Sequence, residues 1–207
     1  MSARLAERGV ALREDGADLV LLCVPDAAIA EVAGSIEPGP WIAHVSGATP
    51  LATLEPHRRR FSVHPLQSFM VDRGPEQLDG AYAAVSGEAD EAVAHGVELA
   101  RVLGLEPFEL DDGDRALYHA GASVASNFLV TLHAAAVELV SSAGVPPEAL
   151  EPLMRRTIEN GFQLTGPIAR GDWETVEAHL AAIHDRAPEL EPLYRVLADA
   201  TAQVAAR

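Results

Sequence analysis

The stretch Asp114–Gly144, DRALYHAGASVASNFLVTLHAAAVELVSSAG, decides how the rest of the chain is read. Ala, Leu and Val dominate it, no proline interrupts it, and Gly144 followed by Pro146 and Pro147 closes it, so it predicts one long helix. At about 1.5 Å per residue, about 30 residues make a rod of roughly 45 Å, longer than a small domain is wide. Most of its faces are apolar, which predicts burial in a larger assembly rather than a place on a surface. Against that background polar residues recur at every fourth position, at Arg115, His119, Ser123, Asn127 and Thr131, with Tyr118 and Ser126 flanking them. Each such step drifts by about 40°, so the middle residues of the stripe share a face. Buried polar groups need partners, so the stripe is expected to face a cleft, a ligand or a second polar surface. The plainer alternative has Ser and Thr bonding back to their own helix carbonyls. It accounts for Ser123 and Thr131 well and for His119 and Asn127 poorly.

Working outward toward the N-terminus, Ser2–Gly9 reads as the end of an amphipathic helix, and Asp18–Val24 (DLVLLCV) as a strand buried on both faces of a parallel sheet. Trp41–Val45, Phe61–His64 and Tyr82–Val85 are further strands, and Pro107–Leu110, which opens with proline, suits an edge. Helical segments are expected at Ala27–Gly34, after the Thr49-Pro50 pair, and at Asp90–Leu103. Strands about twenty residues apart, alternating with helices, predict a doubly wound α/β sheet. Beyond Asp114 strand signals cease, and helices are expected at Pro147–Asn160, Trp173–Arg186 and Pro188–Ala206, with Asp172 as a cap. The predicted organisation is an α/β domain over residues 1–112 and an all-α domain over 113–207.

An apolar fraction of 48% in 207 residues suffices for a packed core. A net charge of −16 argues against nucleic acid or an anionic membrane as the main partner. The single cysteine, Cys23, excludes an intramolecular disulfide framework and a cysteine zinc cage. All fifteen basic residues are arginine, which excludes a Schiff-base lysine and a Walker-type phosphate loop and suits a GC-rich bacterial source. Without a signal peptide or an evident apolar run of spanning length, a cytoplasmic location is expected.

Ligands of open parallel sheets bind beyond the carboxyl ends of the strands. Those ends carry Val24-Pro25-Asp26, His44-Val45-Ser46-Gly47 and His64-Pro65-Leu66-Gln67-Ser68. With His119, His44 and His64 are candidates for proton transfer near neutral pH. His44 is equally open to turning away from the crevice, whereas for His64 the crevice is favoured over capping the turn before Pro65. A three-histidine metal site lacks any supporting ligand spacing, and no G-x-S-x-G elbow exists for a serine hydrolase. Gly47 and Gly166 suit close backbone approach, and the loop Leu164–Asp172 (LTGPIARGD), with Arg170, is either an anion cradle or a plain connector. Arg58–Arg60 reads most simply as a solvated turn before a strand, with a contact to a 2′-phosphate as the alternative.

The segments His44–Ala48, His64–Phe69, Ala116–Ala120 through Ser126-Asn127, and Leu164–Asp172 together resemble the motif series of a bacterial Rossmann-like oxidoreductase family. Its NADP-binding domain precedes a helical domain of unknown function similar to the C-terminal domains of 6-phosphogluconate dehydrogenase, ketopantoate reductase and pyrroline-carboxylate reductase relatives. The resemblance implies that the sheet is an incomplete dinucleotide-binding domain. The family's opening strand, its G-x-G-x-x-G turn, the next helix and the second strand have no counterpart here, a βαβ-sized unit of about 30 residues. Met1 is then either an internal start or the end of a natural truncation. The resemblance further implies NADP, or NAD, bound at Val24, Pro25, Asp26, Ser46 and Gly47. It implies a small polar, carbonyl-type substrate held by Gln67, Tyr118 and Ser126, with His64, His119, Ser123 and Asn127 in catalytic positions. The dehydrogenase relatives use Lys and Asn four residues apart. Asn127 fits the Asn, but Ser123 stands where the Lys would be, so the proton donor is expected at His119, with Tyr118 second. A homodimer through the C-terminal helices is also implied. Three readings follow, in this order: a nicotinamide-dependent oxidoreductase or its cofactor-poor remnant; a non-catalytic ligand-binding or dimerisation module; and, last, metal-dependent hydrolysis using His44, His64 and His119.

Overall fold

Each apolar run becomes a strand in the computed structural model, which describes residues 1–13 and 15–207. The strands are β1 Leu19–Leu22, β2 Trp41–His44, β3 Arg60–Pro65, β4 Tyr82–Gly87 and β5 Glu106–Glu109, ordered in one sheet as they occur in the chain. β1, β2 and β3 pair in parallel, and so do β4 and β5. β4 runs antiparallel to β3, which corrects the expectation of a wholly parallel sheet. The reason lies in the connection after Pro65: it holds only a short 3-10 turn, Pro75–Leu78, and no helix that could cross the sheet to bring a parallel strand back.

Alternation along the strands sorts the two faces. Trp41, Ala43, Phe61, Val63, Ala83 and Val85 point to one side, against α1 (Ser2–Glu7) and α3 (Asp90–Leu103). There α3 lies so close that a Cβ at Gly96 would collide with the Val85 side chain. Leu22 and Ile42 point to the other side, against α2 (Ile29–Gly34) and the turn Leu51–Leu54. His44 and Ser62 share that second side and lie opposite one another across β2 and β3, and Ser86 lies opposite Ser62 across β3 and β4. A buried polar row therefore crosses an otherwise apolar face, and it determines where the next element docks.

That element is α4, Arg115–Ser123. It continues through a π-helical segment, Val124–Phe128, into α5, Leu129–Ser142. The predicted helix is therefore present, but not as uniform α-helix. The π segment resets the register, so the four-residue stripe does not keep one face past Ser123. Residues Asp112–Ser142 also reach the length and apolarity of a bilayer-spanning helix, which corrects the expectation that no such run exists. No residue of α5 is buried.

The chain divides into two compact units inside this helix, Met1–Ser126 and Asn127–Arg207, rather than between residues 112 and 113. The first turns of the helix belong with the sheet because Arg115 is bonded into it. The second unit adds α6 Leu150–Glu159, α7 Trp173–Arg186 and α8 Glu191–Ala205. Asp172 caps α7 by accepting the Thr175 amide at 3.1 Å. The buried side chains of this unit are Val176, Leu180, Ile183, Ala187 and Ala198, while Phe128, Val130, Leu153, Ile158, Phe162 and Trp173 are exposed.

Candidate active site

The site lies at the carboxyl ends of β1, β2 and β3, where each chain turn carries a polar residue. After β1, Asp26 opens a short turn, and its Oδ2 lies 2.7 Å from Ser46 Oγ, beyond the end of β2. Ser46 Oγ also accepts the amides of Ala48 at 3.2 Å and Thr49 at 3.0 Å and lies 2.8 Å from Thr49 Oγ1. Thr49 thus ties the loop to Ser46 instead of capping a helix. The amide of Leu51 is capped by the distant carboxylate of Asp112 at 3.1 Å.

Arg115 is 3% exposed and holds the helix to the strand ends. It donates to Asp112 at 2.6 Å, to the Ser46 carbonyl at 3.1 Å and to Ser62 Oγ. A buried guanidinium without such partners would cost several kcal/mol, so the row of polar side chains and the arginine require one another.

About one turn further along, Tyr118 and His119 come to His64. Tyr118 Oη lies 2.7 Å from His64 Nδ1, and the His64 and His119 ring centroids are 6.0 Å apart, edge to face. The backbone of Gly47 lies against both imidazoles. A Cβ there would stand 2.7 Å from His64 Nε2 and 2.8 Å from His119 Cδ2, so only glycine lets the loop sit this close. Burial, the neighbouring His119 and the Arg115 cation push the His64 pKa down to about 4, with Asp26 opposing. His64 is therefore neutral at pH 7. With the proton on Nε2, Nδ1 accepts the Tyr118 hydroxyl. Burial raises the Tyr118 pKa, and Arg115 pulls against that rise.

His44 takes a different part. It is fully buried, its Nδ1 accepts the Ser46 amide at 3.2 Å, and burial followed by Arg115 lowers its pKa to about 4. It buttresses the loop after β2 from beneath. Among the described residues no group of three or more His, Cys, Asp and Glu side chains is arranged to hold a metal ion.

A cavity of about 570 Å³ opens beside these strand ends. Val24, Val45, Pro65, Phe69 and Leu78 give it apolar walls, and His64, Gln67, Arg73 and Gln77 supply its polar side chains. His64 is the one proton-transfer candidate that lines it; Tyr118 reaches it through His64. Gln67 is engaged within its own loop, donating to the Gln77 carbonyl at 3.3 Å and accepting the Ser68 amide at 2.9 Å. Ser126 bonds back to the Ala122 carbonyl at 2.7 Å and Thr131 to that of Asn127 at 3.4 Å, as the plainer reading of the stripe expects. Ser123 is half-buried in the first unit, and Asn127 is exposed at the start of the second. Arg170 closes its own loop by donating to the Thr165 carbonyl at 2.5 Å, the connector reading of Leu164–Asp172. Arg60 is not solvated but buried, bonded to Glu88 at 2.5 Å.

Residues 81–201 match the model of a domain of unknown function, DUF2520. The chain belongs to that family. Its fold is similar to that of the "putative NADP oxidoreductase BF3122" from Bacteroides fragilis, with a TM-score of 0.75 and 25% identity over 90% of this chain and 76% of that one. Protein TM1727 from Thermotoga maritima is similar with a TM-score of 0.76 and 26% identity, over 90% of this chain and 77% of its own. 1-Pyrroline-5-carboxylate reductase from Streptococcus pyogenes shares the fold at 15% identity and a TM-score of 0.58, over 99% of this chain and 84% of its own. No curated protein matches the chain in sequence. The sheet unit of this DUF2520 chain is thus Rossmann-like, with the helical unit following it.

Ser62, Asp112 and the anchoring part of Arg115 escaped the sequence reading. The signal available for them was the alternation Phe61-Ser62-Val63-His64, which sets Ser62 and His64 apart from the apolar face.

Proposed function

We propose that this DUF2520 chain is a nicotinamide-dependent oxidoreductase that reduces a small polar carbonyl-type substrate. The observation that carries the reading is the Tyr118–His64 pair, with His119 beside it, gathered around Gly47 at the edge of a strand-end cavity. The name of the Bacteroides relative supports an NADP-linked reaction.

The strand ends fit the nicotinamide end of such a cofactor. Val24 and Val45 offer apolar walls, and Pro25, Asp26, Ser46 and Gly47 border them. The loop after β2 does not fit the diphosphate, because its Ala48 and Thr49 amides already donate to Ser46 Oγ. Bound there, a dihydronicotinamide supplies hydride to the substrate carbon. The protein supplies the proton. His64 Nε2–H donates to the carbonyl oxygen while Nδ1 takes the Tyr118 hydroxyl proton, so the imidazole ends neutral and the transient phenolate faces the Arg115 cation. His119, which also lies against Gly47, offers a second exit for the proton.

The helical unit leaves large apolar side chains uncovered, and a second copy of the chain is the partner that would cover them. No nucleic-acid or membrane partner is part of this reading, and the location that suits it is the cytoplasm. The non-catalytic binding module remains the rival, and turnover separates the two. NADPH consumption with small oxo acids and imines is expected to be measurable, to fall about a hundredfold in His64→Gln, and to fall less in Tyr118→Phe. Absence of turnover with both NADPH and NADH, or full activity in both variants, overturns the reading.

A further inference from the structure

The same cavity carries a feature that proton delivery does not use. In a chain of net charge −16, its described lining contains no Asp or Glu, and it contains Arg73. Among the described residues, no carboxylate lies within 4.0 Å of the Arg73 guanidinium. Glu76, an acid of the same loop, is turned onto the Gly74 amide at 3.1 Å.

The backbone that presents Arg73 is braced from inside. Gln77 Oε1 accepts the Met70 amide at 2.8 Å, and its Nε2 donates to the carbonyls of Met70 at 3.1 Å and Gly74 at 3.0 Å. The Arg73 amide itself donates to the Met70 carbonyl at 3.2 Å. One side-chain amide thus fixes the residues on both sides of an unpaired arginine that opens onto apolar walls. A planar guanidinium binds a carboxylate through two parallel N–H donors, and an ammonium does not reproduce that fork.

We propose that Arg73 is the anion-recognising residue of this cavity and that the substrate is an oxo acid or its imine, with its carboxylate on Arg73 and an apolar body between Phe69 and Leu78. The inference deepens the reductase reading and rests on it for the position of the reacting carbon near His64. His64 is neutral at pH 7, so Arg73 is the charge on this wall that an anion would seek.

The test is binding of 2-oxopentanoate, its methyl ester and inorganic pyrophosphate to the purified chain, read from the His64 imidazole NMR signals and by calorimetry, without cofactor. The acid is expected to saturate and to bind at least about tenfold more tightly than the ester, because a hydrogen bond to a charged partner is worth that much or more. Arg73→Gln is expected to remove that difference by weakening the acid alone, and Arg73→Lys to restore part of it. Equal binding of acid and ester, or an undiminished acid affinity in Arg73→Gln, overturns the proposal. Pyrophosphate displacing the acid at equal or lower concentration assigns Arg73 to a phosphate and overturns the carboxylate assignment. Acid-selective binding without NADPH turnover defeats the reductase reading and leaves the anchor standing. Turnover without acid selectivity does the reverse.

Discussion

His44 and His64 sit on the neighbouring strands β2 and β3, and they are neutral for a shared reason. Burial disfavours the charged imidazole in both, and the Arg115 cation adds to it. The consequence for stability has a definite sign. In the unfolded chain each imidazole binds a proton as pH falls through its ordinary value of 6.5, whereas in the folded chain it does so only near about 4. The unfolded state therefore holds more protons between those values, and stability is full above 6.5, declines as pH falls toward 4 and changes no further below it through these groups. Histidine NMR titration of the folded chain should place both midpoints well below 6.5, and Arg115→Gln should move them upward. Midpoints at 6.5 in the native chain contradict the arrangement. His64 and His119 stood out in the sequence as polar residues at a strand end and on a helix, and Gly47 as a glycine suited to close backbone approach. Arg73 was not, because an arginine in a loop acquires meaning only once the fold shows which charges stand near it.

At the scale of elements, the long helix was legible because thirty residues of Ala, Leu and Val without proline allow little else. The strands were legible from their continuous apolar runs, and α3 is found at its predicted bounds, Asp90–Leu103. Two features were not. The π segment Val124–Phe128 is a register change of one hydrogen bond, which composition does not encode. The antiparallel β4 follows from a connection whose path is set by turns such as the Gln77 clamp, not by periodicity. The C-terminal part of the long helix presents Leu129, Val130 and Leu132 to solvent, with no buried residue along α5. Exposed apolar surface of this extent is what a subunit interface would cover, so a dimer through the helical unit is the state we propose. Light scattering should return twice the chain mass of 21.9 kDa at micromolar concentration, and Val130→Asp should return the monomer. A native chain that is monomeric at every concentration removes the dimer from the account.

For the molecule as a whole, the division of labour is between a sheet unit that carries the crevice and a helical unit with its own small core. The central claim concerns the first: its strand ends receive a nicotinamide next to His64 and Gly47. Titration of the purified chain with reduced nicotinamide mononucleotide, followed by the fluorescence of the dihydronicotinamide, tests that claim without calling on any diphosphate contact. The account predicts a saturable fluorescence change in the native chain that is lost in Gly47→Val, where the added side chain drives into the His64 and His119 rings. A response that stays linear with ligand, identical in the native chain and the variant, contradicts it.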